Sequence, residues 1–145
     1  GPQTTVESAR PFAEQAAQLM LTLPDTAFRS GQTRQAAAFT RDPATQAAIV
    51  EWSANSDRHA LASAIREVML TDARPGLGAM STPVWAVYAA DAEGGPDAAT
   101  VEALWTREYA DLPGVRLIRI DGSRHFIMAD QPQRLAEQID LFLAD

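Results

Sequence analysis

The sequence predicts an α/β protein in which a mainly helical first half precedes a short strand-helix-strand-helix unit. In residues 4–72, apolar side chains recur at helical spacing and are separated by helix-start signals. Residues 84–90, VWAVYAA, form a nearly all-apolar run that is typical of a parallel strand covered on both faces. Residues 115–120, VRLIRI, combine apolar side chains with two arginines, as a half-buried strand does. A helix between these strands predicts that they run parallel.

The first of four predicted helices spans about residues 6–21, with Phe12 and Leu19 at helical spacing. Pro11 fits a helix best in the first turn, where no backbone N–H is needed. We therefore expect the regular helix to begin near Ser8.

Three further helix starts follow in the first half. A weaker helix is predicted over residues 25–39. The next start is the clearest, because Asp42 supplies an N-cap acceptor directly before Pro43 at the first helical position. Ser56 or Asp57 caps the fourth helix.

The chain divides into three predicted parts. Residues 1–73 form a helical domain, residues 74–83 are a linker, and residues 84–145 form the β-α-β-α unit. In the last part, Asp97 caps the helix between the strands, and Pro132 opens the final helix, which packs on the sheet.

Composition limits the possible functions. The 145 residues are enough for a hydrophobic core, and a hydrophobic content of 46% is typical of globular chains. The formal net charge of −7, without a basic cluster, argues against nucleic acid or an anionic membrane as a partner. No apolar run reaches the roughly eighteen residues that a membrane-spanning helix needs, so a soluble chain of unknown compartment is expected. Cysteine is absent, which excludes disulfides and thiolate chemistry.

His125 is the main candidate catalytic residue. It follows the second strand after a turn at Asp121-Gly122, and open α/β sheets bind ligands at the carboxyl ends of their strands. The alternative is a structural imidazole packed by Phe126. The other histidine, His59, falls in the first turn of the fourth helix and is expected at the surface. Two histidines without metal-ligand spacing give no zinc signature, and no cofactor is predicted.

Two patterns together resemble the C-terminal end of an α/β-hydrolase. One is the second strand followed by residues 122–125, an apolar run, Asp130-Gln131-Pro132 and an amphipathic helix. The other is Ser81-Thr82-Pro83, the apolar strand and the acidic loop of residues 91–96. The short helices before these strands resemble the cap that members of this family insert over the active site.

The resemblance implies a Ser-Asp-His triad in which His125 is the general base. Asp91 would be the acid, with Glu93 as the alternative, because an alanine replaces the family's glycine and the spacing to Pro96 leaves the acid ambiguous. The alternative interpretation of this loop is a solvated acidic turn without a catalytic role.

If the cap faces the site, aromatic and apolar side chains of the helices line a substrate pocket. The candidates for substrate binding are Trp52, Met69 and Phe126, with Phe39 as a further possibility. Core packing is the alternative explanation for each of them.

The nucleophile that the resemblance requires is missing. The family places it in G-x-S-x-G, and none of the seven serines has a glycine two positions before it. The oxyanion-hole segment is also absent, so the resemblance covers roughly the C-terminal half of the fold. The chain begins Gly1-Pro2 without a methionine, and we expect a truncated, processed or split chain that is inactive alone. Its expected partners are a small-molecule substrate and the N-terminal half of the same fold, in cis or as a separate chain.

Three interpretations follow. The favoured one is part of a hydrolase that acts on an ester, thioester, amide or lactone bond of a small molecule through an acyl-enzyme. The alternative is a non-catalytic helical binding or dimerisation module in which His125 is structural. A one-chain hydrolase that uses another serine is the third.

Overall fold

The computed structural model describes residues 4–94 and 97–144. The described elements are, in order, α1 (Val6–Thr22), α2 (Asp25–Phe39), α3 (Pro43–Asn55), α4 (Arg58–Leu70), a 3₁₀ helix (Arg74–Ala79), β1 (Trp85–Ala90), α5 (Ala98–Glu108), β2 (Arg116–Asp121), α6 (Ile127–Asp130) and α7 (Pro132–Ala144). The predicted class is confirmed: a helical region precedes a β-α-β-α unit. Gly1-Pro2 and the loop residues Gly95 and Pro96, which entered the sequence argument, lie outside the described residues.

Helix α1 packs along α4 through small side chains. Its buried residues Ala9, Ala13 and Ala17 recur every fourth position and so share one face, and α4 buries Ala62. Alanine on the facing surface lets the two helix backbones approach closely. This pair is the most extensive contact between two described elements.

The predicted start of α1 near Ser8 is wrong, because the helix begins at Val6 and contains Pro11 in its interior. A capping box fixes the earlier start. The Thr5 hydroxyl accepts from the backbone N–H of Ser8 at 3.1 Å, and the Ser8 hydroxyl accepts from the backbone N–H of Thr5 at 2.9 Å. Pro11 still removes one helical hydrogen bond, and we attribute its tolerance to this cap and to the packing on α4.

Helices α2 and α3 form the second pair, which buries Phe28, Ala36 and Ile49. As predicted, Asp42 caps α3, and its carboxylate accepts from the backbone N–H of Thr45 at 2.7 Å. Between the two helices, the side chain of Thr40 is completely buried.

Arg58, at the start of α4, connects the two helix pairs. Its guanidinium donates to the Leu23 carbonyl oxygen at 2.5 Å, pairs with Asp25 at 2.6 Å and lies 4.2 Å above the Phe28 ring. The cap of α4 itself is Asp57 rather than Ser56.

The predicted linker includes the 3₁₀ helix, and Arg74 at its start binds both flanking regions. Its guanidinium donates hydrogen bonds to Asp72, to Glu108 in α5 at 2.9 Å and to the Thr4 carbonyl oxygen at 2.8 Å. The division of the chain into a helical domain, a linker and a β-α-β-α part stays a prediction.

Strands β1 and β2 pair in parallel, from Trp85 opposite Arg116 to Ala90 opposite Asp121. On one face of this sheet, Tyr88 stacks on Trp105 of α5, with ring centroids 5.5 Å apart. On the other face, Trp85 meets Phe142 of α7 edge to face at 5.6 Å. The cover is incomplete, because Tyr88 and Ala90 are buried whereas the rest of β1 is half-buried.

Helix α7 leaves several large apolar side chains exposed: Ile139, Leu141, Phe142 and Leu143. The run after His125, predicted only as an apolar segment, forms the short helix α6. None of the described helices has the length and apolar character needed to cross a bilayer.

Candidate active site

A cavity of about 500 Å³ extends from β1 to the residues that follow the carboxyl ends of both strands. Residues 87–91 all line it. Side chains of a strand alternate between its two faces, so consecutive residues share a cavity only along the strand's edge. Val101 and Trp105 of α5 line it as well, together with residues 123–125.

The hydrogen bonds between the strands show which backbone groups face this cavity. The carbonyl oxygens of Val84 and Ala90 accept from the backbone N–H groups of Arg116 and Gly122 in β2 and directly after it. In a parallel pair, every second residue bonds to the partner strand. The backbone groups of Trp85, Val87 and Ala89 therefore point to the open edge, which has no partner strand within residues 4–94 and 97–144.

His125 lies on the loop after β2 and is exposed. Gly122 begins this loop with φ of +72°, a conformation that favours glycine, and Gln131 donates to its carbonyl oxygen at 3.1 Å. The imidazole packs against two aromatic rings, those of Phe39 at 4.9 Å and Phe126 at 5.0 Å between centroids. The ring is thus held from the side and stays accessible from the cavity.

Asp91 is the first residue after β1 and is only 6% exposed. Its carboxylate accepts from Arg124 Nε at 2.8 Å, from Arg41 at 3.2 Å and from the backbone N–H of Glu93 at 3.2 Å. The hydrogen bond from Arg124 outweighs the effect of burial and lowers the pKa of Asp91 below its ordinary value of 3.8. Asp91 is therefore ionised at neutral pH.

Glu93, the alternative acid, is exposed and accepts from Arg41 at 2.6 Å. Arg41 thus bridges both candidate acids. Asp91 lines the same cavity as His125, but among the described residues neither carboxylate is hydrogen-bonded to the imidazole. The choice between Asp91 and Glu93 stays a prediction.

The four candidate pocket residues are dispersed. Phe126 and Phe39 both contact the ring of His125. Trp52 lies on α3 and is 64% exposed. Met69 lines a different cavity of about 430 Å³, between α1, α4, the 3₁₀ helix and α5. The structure therefore brings two of the four to the histidine, and substrate binding by any of them stays a prediction. As expected, His59 is exposed.

Asp130 was part of a sequence pattern but not of the predicted site. One carboxylate oxygen, Oδ1, accepts from the Thr40 hydroxyl and from the backbone N–H of Arg41, both at 2.7 Å. The other, Oδ2, accepts from the backbone N–H of Arg124 at 2.8 Å. Asp130 thus joins the segment between α2 and α3 to the loop that carries His125.

Sequence reasoning also missed the two arginines at Asp91. Arg124 directly precedes His125, and its guanidinium donates both to Asp91 and to the Ala37 carbonyl oxygen. Arg41 comes from the other half of the chain, 50 residues from Asp91. The only local sequence signal for these ion pairs was the position of Arg124 beside the candidate histidine. Both arginines are distant in sequence from Asp91, so their pairing with it could not be predicted from the sequence.

Among the serines, Ser123 lies nearest to His125 in sequence and lines the same cavity. It is buried, and its hydroxyl donates to the Arg124 carbonyl oxygen at 3.1 Å. Its hydroxyl hydrogen is therefore directed at the backbone. Within residues 4–94 and 97–144, no cluster of three or more His, Cys, Asp or Glu side chains is placed to hold a metal ion.

The helical region and the β-α-β-α unit together have the fold of half of an α/β-hydrolase. A solved structure with this similarity is the enol-lactonase from Burkholderia xenovorans LB400, with a TM-score of 0.71 and 17% sequence identity. The similarity covers 98% of this chain and 52% of the enol-lactonase chain, so this chain spans about half of that enzyme's length. At this identity the similarity shows the fold alone. No protein-family model matches the sequence, and no curated protein does.

Proposed function

We propose that this chain is the C-terminal half of an α/β-hydrolase that cleaves an ester, thioester, amide or lactone bond of a small molecule. The observation that carries the proposal is the placement of Asp91 and His125. They follow adjacent parallel strands and line one cavity at the carboxyl ends of those strands. The fold similarity to an enol-lactonase supports acyl chemistry, including the lactone among the proposed bonds.

In the proposed mechanism, His125 takes the proton from a serine hydroxyl as that oxygen attacks the carbonyl carbon of the substrate. The imidazolium then returns the proton to the leaving group, and water releases the acyl group in the second half of the cycle. The exposed face of the imidazole is available for this exchange.

Asp91 orients the imidazole and stabilises its charged form in this proposal. A carboxylate has about four lone-pair sites, and three of those of Asp91 are already used. Oδ1 accepts from Arg41 and from the Glu93 N–H, whereas Oδ2 accepts from Arg124 alone. The remaining site on Oδ2 is therefore the one available to an imidazole N–H, after a rearrangement of His125.

The serine comes from a second half of the fold, in cis or as a separate chain. The open edge of β1 supports this part of the proposal, because apolar parallel strands are normally paired and covered on both sides. A strand that pairs with this edge would bring the residue at its own carboxyl end close to Asp91 and His125.

Two observations support a second function. Both oxygens of Asp91 bind arginines, and the imidazole of His125 packs on Phe39 and Phe126. These contacts also suit a non-catalytic helical binding or dimerisation module in which His125 is structural. Such a module needs no second half and is expected to be a stable, monodisperse protein when expressed alone.

The decisive experiment combines this chain with a nucleophile-bearing half and measures hydrolysis of small esters and lactones. The candidate is the polypeptide encoded directly upstream, or a separate one that carries G-x-S-x-G between a strand and a helix. We expect activity only in the combination, and we expect His125→Ala to abolish it. His59→Ala is the matched control and should keep the full rate. Full activity in His125→Ala would refute the catalytic assignment.

A further inference from the structure

We propose that Asp130 is a positioning residue for His125. It holds the corner between α2 and α3, residues 39–41, against the histidine loop, so that the Phe39 ring fixes the imidazole. The role in hydrolysis rests on the proposed function, whereas the positioning itself does not.

The two carboxylate oxygens of Asp130 bind different segments of the chain. Oδ1 binds the corner through the Thr40 hydroxyl and the Arg41 N–H, and Oδ2 binds the histidine loop through the Arg124 N–H. The corner and Asp130 are about 90 residues apart in sequence, so the carboxylate closes a long-range contact. Thr40 is completely buried, which leaves its hydroxyl no water to replace this partner.

Two further contacts transmit this arrangement to the imidazole. The backbone N–H of Phe126 donates to the Phe39 carbonyl oxygen at 2.9 Å, which fixes the residue after His125 to the corner. The Phe39 ring then lies 4.9 Å from the imidazole with a tilt of 33°. One side of the His125 imidazole is exposed and does not restrict the ring. Its orientation is limited by the rings of Phe39 and Phe126, which pack against it.

A carboxylate is the group that this junction requires. Three donors converge on Asp130, two on one oxygen and one on the other. Asparagine has one acceptor oxygen, so its amide nitrogen would face either the Arg124 N–H or the two donors of the corner. Asp130→Asn therefore loses at least one of the connections while it keeps the size of the side chain.

The histidine spectrum provides a test that does not depend on hydrolysis. The chain has two histidines, and the ring currents of Phe39 and Phe126 displace the imidazole signals of His125 from those of exposed His59. The spectra are recorded on the isotopically labelled chain, alone or with its completing half. We expect Asp130→Asn to move the His125 signals towards those of His59. Asp140→Asn, the same change at an exposed position of α7, should leave them in place.

Two more variants keep the test decisive if Asp130→Asn unfolds the chain. Thr40→Val removes two hydrogen bonds of the Thr40 hydroxyl, the one it donates to Asp130 and the one it accepts from the backbone N–H of Asp42. The Arg41 N–H bond to Asp130 remains, so we expect this variant to shift the His125 signals part of the way. Phe39→Leu removes the ring, and in that background Asp130→Asn should add little. The proposal fails if His125 and His59 already coincide in the unmodified chain, or if the His125 signals stay in place in both Asp130→Asn and Thr40→Val. Because no activity is measured, such a result leaves the proposed hydrolase function open.

Discussion

The helix pair α1–α4 and the strand pair β1–β2 satisfy their backbone hydrogen bonds in different ways. Each helix makes its backbone hydrogen bonds within itself, and α1 packs on α4 through buried alanines such as Ala13. In the strand pair, the backbone groups on one edge of β1 are hydrogen-bonded to β2. Those on the other edge face the cavity beside Asp91 and His125. The difference teaches that a helix satisfies its own backbone hydrogen bonds, whereas β1 has an edge without a partner strand within residues 4–94 and 97–144.

The largest expected effect concerns the acid at the end of the open strand. If the proposed hydrolase function holds, Asp91→Asn in the chain combined with its second half should lower kcat by about 10⁴, by analogy with the acid of serine proteases. Glu93→Gln should retain most of the activity, because the Glu93 carboxylate is exposed and, among the described residues, is hydrogen-bonded to Arg41 alone. Steady-state kinetics of the two variants decide between the acids. If the glutamine variant loses the larger factor, the triad acid is Glu93.

The next test blocks the open edge of β1 without disturbing its pairing with β2. The backbone N–H of Val87 points away from β2, so Val87→Pro removes a donor from the open edge alone. An unpaired strand edge can also pair with a second copy of the chain. We therefore expect this variant to fold with β2, to associate less with itself and to lose complementation by the second half. Size-exclusion chromatography and the complementation assay measure these effects.

Ala86→Pro is the control for the edge test, because its backbone groups face β2. It should damage the sheet itself, with a loss of β-signal in circular dichroism. Equal complementation by Val87→Pro and the unmodified chain would mean that the second half does not dock by adding a strand.

The smallest effect is expected in the helical pair. Ala13 is fully buried on the α4 side, so Ala13→Leu overfills the contact and should lower the free energy of unfolding by about 1–3 kcal/mol. Ala60→Leu makes the same change at an exposed position of α4 and should stay close to the unmodified value. Urea unfolding compares the two variants, and equal stabilities would show that α1 and α4 do not pack as described.

Local signals in the sequence predicted much of the fold. Asp42-Pro43 and Asp97 marked the starts of α3 and α5, and both helices begin there. The prediction from Pro11 is wrong for α1, because the capping box of Thr5 and Ser8 starts the helix one turn before this proline. The preference of proline for the first turn of a helix concerns one residue, whereas the position at which a helix starts depends on several residues together.

The candidate site was predictable only in part. The positions of Asp91 and His125 after two parallel strands followed from the pattern of the sequence. Their partners did not, since Arg41 and Thr40 reach the site from the helical region. A carboxylate attracts any nearby donor, and the sequence does not reveal which donors the fold brings near.

The sequence by itself determined the order of the longer helices and the two strands and the presence of a histidine after the second strand, because caps, turns and apolar periodicity act over a few residues. Only the tertiary structure decided that Asp91 binds Arg41 and Arg124, that Asp130 joins two distant segments, and that Phe39 packs on His125. These interactions link residues from 33 to about 90 positions apart, and they form only when packing of the whole chain brings the partners together.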